Sequence, residues 1–159
     1  MKNSTWLLTP LLLGFLSIST PAQSSTLDFP GHGFRINALD GPSTGFTTAL
    51  MMFLPPDADF APNVNVQIQP FEGTIEDYIA ESKEQFKELN LKVLTEERPD
   101  AKTWVVSYEG QMEGEKLRFH AKAISQGNRV LLATATAKSS QWKSAGDALI
   151  ACVNSMEIP

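Results

Sequence analysis

The chain has 159 residues, with 13 basic against 18 acidic side chains for a net charge of −5, and one cysteine. An acidic chain without a Lys/Arg cluster is a poor candidate for nucleic acid, whose phosphates demand positive charge, and an equally poor one for anionic membrane surfaces. A lone cysteine leaves no intramolecular disulfide to form, and the length suits one domain with an adequate core of its own.

Met1 to Ala22 reads as a secretory leader. Lys2 gives a positive start, an apolar run extends from Trp6 to Ile18, and Thr20-Pro21-Ala22 offers a small-residue cleavage site. The run is short and interrupted by Pro10 and Gly14, so it does not suit a stable membrane span. No cysteine ends it, which removes the usual point of lipid attachment. Residues 23–159 are then expected as a single domain, periplasmic or secreted.

From Phe34 to Leu54 the chain carries short β-prone runs broken by turn-rich stretches at Asp40-Gly41-Pro42 and Ser43 to Gly45. Phe46 to Leu54, FTTALMMFL, barely alternates and predicts a strand buried on both faces. PPDADFAPN follows as an exposed, proline-rich loop. Its Phe60 is a candidate interface anchor, with folding back onto the core as the alternative. Val64 to Gln69 alternates, placing Val64, Val66 and Ile68 on one side of a strand.

The next segment predicts a helix. Thr74 is a suitable N-cap and Asp77 completes a capping-box pair, while Glu76 and Asp77 occupy the first turn, where the helix dipole favours anions. Ile75, Tyr78, Ile79, Ser82, Phe86 and Leu89 share one face. Asp77, Glu81, Glu84 and Glu88 follow steps of four, three and four, forming an acidic ridge. The ridge is either a solvated flank or a docking edge for a basic partner.

From Trp104 to Ala137 the spacing predicts a three-stranded meander. Glu113-Gly114 and Gly127-Asn128 suit two-residue hairpin turns. The first turn sets Met112 opposite Glu115, Tyr108 opposite Phe119, Val106 opposite Ala121, Trp104 opposite Ala123 and Glu109 opposite Arg118. The second sets Leu132 opposite Ala123 and Leu131 opposite Ile124. A closing helix from about Ser140 to Met156 carries Trp142, Ala145, Leu149, Cys152 and Met156 along one seam, which predicts a core cysteine. Strands, helix, strands, helix, with tight hairpins, gives an α+β fold: an antiparallel sheet with helices packed on its faces.

No catalytic signature emerges. There is no G-x-S-x-G elbow, and the two histidines, His32 and His120, are distant from each other and lack zinc spacing. DADFAPN begins like a calcium loop but puts Ala61 and Pro62 where oxygen ligand and turn glycine belong. No cofactor is expected, and no enzyme. Glu109, Arg118 and His120 fall on one strand face and form the candidate patch for a small molecule or a metal.

The segments FAPNVNVQIQPFEGTIEDYIAESKEQFKELNLKVL and WVVSYEGQMEGEKLRFHAKAISQGNRVLLATATA, with the closing helix, resemble the PsbP/Mog-type α/β/α sandwich superfamily, most of all its bacterial DcrB-like branch. The resemblance runs from about Phe29 to the C-terminus. It implies a non-catalytic adaptor or accessory protein of the bacterial envelope that binds a protein partner, and it carries no functional residues with it. Unlike an anchored DcrB-like protein, this chain has no lipobox.

Overall fold

The computed structural model describes residues 26–29, 33–37, 47–56 and 59–159. The leader, His32, Phe46 and Asp57 lie outside them. The chain divides into two units, Met1–Pro42 and Ser43–Pro159. In the first, β1 (Thr26–Phe29) and β2 (Phe34–Asn37) form an antiparallel pair that sets Phe29 opposite Phe34.

The second unit is built on a six-stranded sheet. Its strands are β3 (Thr47–Phe53), β4 (Asn63–Pro70), β5 (Lys92–Asp100), β6 (Thr103–Met112), β7 (Glu115–Gln126) and β8 (Arg129–Lys138). They lie in the order β3-β4-β8-β7-β6-β5, and every neighbouring pair is antiparallel. Helix α1 (Ile75–Glu88) joins β4 to β5 and packs on one face; α2 (Trp142–Asn154) follows β8 and packs on the other. This is the expected α+β arrangement. Among the described residues no helix is long and apolar enough to cross a membrane.

The meander takes the register that its turns dictate. Glu113 and Gly114 both have positive φ, 51° and 85°, as a type I′ hairpin turn requires. Met112 faces Glu115, Tyr108 faces Phe119, and Trp104 faces Ala123. Leu132 lies against Ala123 and Leu131 against Ile124. Strand parity then separates two cores. On the α1 face, Trp104, Val106, Ala121, Ala123 and Val130 meet Ile75, Tyr78 and Ile79. On the α2 face, Val64, Ala133, Ala135 and Ala137 meet Ala145, Leu149 and Val153, with Cys152 half-buried beside them.

Helix α1 begins at the reciprocal cap that its sequence predicts. The Asp77 N–H donates to Thr74 Oγ1 at 3.2 Å, and the Thr74 N–H donates to Asp77 Oδ2 at 2.9 Å. Two orphan amides are satisfied together, which is worth roughly 0.5–2 kcal/mol for a cap of this kind. Leu89, expected on the buried stripe, lies one residue past the helix end and is 57% exposed.

One strand departs from expectation, and another forms where none was expected. β3 is not buried on both faces: among the described residues it is an edge, bonded only to β4, and Leu50, Met51, Met52 and Phe53 stand exposed. An unbroken apolar run records only the absence of polar residues. It does not record what covers them. β5 forms from a segment with no apolar alternation, because its backbone bonds to β6 through Lys92↔Glu109, Thr95↔Ser107 and Glu97↔Val105 whatever its side chains face.

Candidate functional site

The acidic ridge on α1 is less uniform than its spacing implies. Asp77 is taken up in the cap, and the hydrogen bonds from Thr74 hold its carboxyl below the usual 3.8. Glu84 pairs with Lys87 at 2.6 Å, one turn on. The ridge therefore reduces to Glu81 and Glu88, which make no ion pair among the described residues. On the other flank, Glu76 pairs with Arg98 at 2.7 Å and Lys83 with Glu96 at 2.8 Å, tying α1 to β5.

Phe60 is half-buried, and its carbonyl accepts a hydrogen bond from Gln141 Nε2 at 3.0 Å, which ties its loop to the start of α2. Nearby, Lys138 sits between Asp59 at 2.6 Å and Glu115 at 3.1 Å, so Asp59 is paired with a cation. Among the described residues no group of three or more His, Cys, Asp or Glu is placed to hold a metal.

Glu109 and Arg118 are opposite each other in the ladder but turn to different neighbours. Glu109 pairs with Lys116 at 3.1 Å, whereas the Arg118 guanidinium lies over the Trp142 ring, 5.0 Å from its centroid. His120 is buried, with Nδ1 2.8 Å from Ser107 Oγ and Nε2 3.0 Å from Asn154 Oδ1. Lys122, the next residue on that face, donates to the Asn154 and Met156 carbonyls at 2.8 and 2.7 Å. A cation on the unsatisfied carbonyls of a helix C-terminus is favourable. Arg118, His120 and Lys122 thus form one row on β7 that fastens α2 to the sheet. The chain from Ser107 through His120 to Asn154 has the elements of a nucleophile and base, but Ser107 is buried mid-strand between Thr95 and His120, where the backbone serves the ladders.

A hollow lies against each face of the sheet. On the α2 face, an open groove of about 980 Å³ lies beside α2, bordered by charged residues of both signs, among them Glu97, Lys102, Arg118, Lys122 and Glu157. On the α1 face, a smaller hollow of about 400 Å³ lies between the helix and the sheet, and its wall is aromatic. The rings run in contact from Phe71 to Tyr78 (centroids 5.3 Å apart), Tyr78 to Trp104 (6.5 Å), Trp104 to Phe86 (6.2 Å), Phe86 to Tyr108 (4.4 Å) and Tyr108 to Phe119 (4.7 Å).

Tyr78 and Tyr108 are the only tyrosines of the chain. Burial pushes both phenols up to about 12, with a smaller contribution at Tyr108 from Tyr78. A folded pKa above the unfolded value, near 10, means stability that is complete below pH 10 and lost as pH rises toward 12. The expected result of a spectrophotometric titration is no phenolate absorbance from the folded chain at pH 10, then its appearance near pH 12 or abruptly with alkaline unfolding. Half-ionisation at pH 10 without unfolding would show that the wall is open to water.

The outer edge, β3, is the surface that sequence reasoning placed in the interior. No charged residue occurs between Thr47 and Phe53, whereas β5, the opposite edge, carries Lys92, Glu96, Glu97, Arg98, Pro99 and Asp100.

No family model matches the chain, and no curated protein sequence matches it. Among solved structures it is similar to PA94, a Pseudomonas aeruginosa protein of unknown function, with a TM-score of 0.63 and 14% identity over 87% of this chain and 99% of that one. It is also similar to LpqN of Mycobacterium tuberculosis, involved in cell envelope biogenesis (TM-score 0.45, 14% identity, 70% and 82% of the two chains). A third is cyanobacterial PsbP (CyanoP) of Synechocystis sp. PCC 6803 (TM-score 0.43, 9% identity, 89% and 96%). At 14% identity the likeness to PA94 is one of fold, an antiparallel α+β sheet with two helices.

Proposed function

We propose that the protein is an exported, non-catalytic accessory protein that holds a protein partner along β3. The observation that carries this reading is the contrast between the two sheet edges. An edge strand presents unpaired N–H and C=O groups that template pairing with another chain, and charges or proline on the edge suppress it. β5 is blunted in this way. β3 is not: Leu50, Met51, Met52 and Phe53 are 41, 50, 39 and 62% exposed on an edge that no other strand pairs among the described residues. An extended partner segment added there gains main-chain hydrogen bonds, with alternate side chains supplying specificity. The N-terminal segment Met1 to Ala22 supports export, and the lack of a recognisable catalytic motif supports the accessory role.

The patch of Glu109, Arg118 and His120 gives less support to a small-molecule or metal reading, because Glu109 and His120 are engaged within the fold and Arg118 stacks on Trp142, with its buried Nε left without a hydrogen-bond partner among the described residues. A photo-crosslinking residue at Met51, in the full chain expressed in intact cells, is expected to form one discrete adduct that disappears with Phe53→Lys. The same residue at Glu97 is expected to form none. Adducts of equal strength from both edges, or none from Met51, would overturn the assignment.

A further inference from the structure

The geometry points to a second binding site, independent of the β3 edge, for a small aromatic amine in the hollow beneath α1. The hollow exists because of a change of side-chain size across one sheet face. β6 raises Trp104, Val106 and Tyr108 toward the helix, while β7 offers Ala121 in the row beside them. The alanine stops short of the level set by its neighbours, and α1, held toward β5 through Lys83–Glu96 and Glu76–Arg98, does not close the space. A volume of about 400 Å³ lies within the range of small-molecule sites, roughly 300–1,000 Å³.

The walls decide the class of ligand. Phe86, Tyr108 and Phe119 offer ring faces and edges, and Ala121 and Leu132 line the hollow beside them; a flat ring fits such a wall by offset or edge-on packing. Water gains little there, because an apolar cavity offers it too few partners. Polar groups gather on the helix side, where Ser82 and Gln85 line the hollow. Glu81 is the one charged residue in the lining, it is exposed, and it makes no ion pair among the described residues. The cations of α1 turn elsewhere, Lys83 to Glu96 and Lys87 to Glu84. A carboxylate or phosphate on the ligand would meet no positive group. An ammonium would meet the Glu81 carboxylate at the mouth and ring faces within, both of which attract it.

Tryptamine and indole-3-propionate test this directly, since they share ring and chain length and differ in the sign of the terminal charge. In calorimetric titrations of the full chain, tryptamine is expected to bind about tenfold more tightly than indole-3-propionate. Glu81→Gln, a change at an exposed position, is expected to bring the two within about twofold of each other. Amide NMR shifts should centre on Ser82, Gln85, Ala121 and Leu132. Ala121→Leu fills the hollow from the sheet and should remove tryptamine binding with the far-UV circular dichroism retained. If that variant does not fold, Ser82→Phe plugs the hollow from the helix side with the same expected loss. Saturable binding of neither probe, equal binding of both, or shifts centred on the α2 face would each overturn the proposal.

Discussion

Trp104→Ala is expected to weaken the fold by about 3–5 kcal/mol, the range for deleting a buried aromatic side chain. The indole is 2% exposed and stands where three elements meet. Tyr78 approaches it edge-on and Phe86 stacks on it, so two of the ring contacts of α1 depend on it, while Phe86 keeps its contact with Tyr108. Its Nε1–H donates to Glu96 Oε1 at 3.1 Å, and the same oxygen accepts the Lys83 ammonium at 2.8 Å. Across the ladder stands Ala123, fully buried and small enough to leave room for the indole. Truncation therefore sets alanine opposite alanine and leaves a void beneath α1. Urea unfolding measures the loss directly, and the thermal midpoint should fall by on the order of 10 °C or more. Trp104→Phe keeps a ring but removes the donor, and should cost about 1 kcal/mol through that hydrogen bond. A loss below about 1 kcal/mol in Trp104→Ala would show that α1 is held by its ion pairs to β5 and not by the indole.

Much of the architecture was legible because local chemistry dictates it. The Glu113-Gly114 turn fixes which residues of β6 and β7 face each other, and one pairing determines all the rest, because a strand has a side-chain period of two. Thr74 and Asp77 mark a helix start through bonds they make with each other. What stayed hidden depends on contacts distant in sequence. Spacing placed Glu81, Glu84 and Glu88 in a row, but Glu76 finds its cation 22 residues away at Arg98. Parity put His120 beside Ser107; that Asn154, 34 residues on, completes the pair required the position of α2. The edge role of β3 was hidden for a different reason. Apolar composition is the same whether a strand is covered or waiting to be covered, and only strand order distinguishes the two. The hollow beneath α1 needs still more, since it depends on which strands the helix leans toward.

His120 is where these long-range contacts predict the second large effect. With Asn154 Oδ1 as acceptor, Nε2 carries the ring proton and Nδ1 accepts the hydrogen bond from the Ser107 hydroxyl. Both ring nitrogens are thus satisfied inside the protein, and both bonds matter, because Ser107 is only 6% exposed. His120→Ala leaves that hydroxyl without its partner and opens a cavity under α2, which together should cost roughly 2–4 kcal/mol. Adding Ser107→Ala should recover part of the loss, since replacing both partners removes the stranded donor. The damage should be local: amide exchange should quicken over the last turns of α2, while α1, on the other face of the sheet, keeps its protection. The same variant separates a fastening role from a ligand role. If His120→Ala leaves the urea midpoint unchanged but abolishes a stabilisation that zinc confers on the parent chain, His120 is a ligand and the row on β7 does not clamp the helix. If the midpoint falls and zinc has no effect on either protein, the imidazole is a strut between β7 and α2.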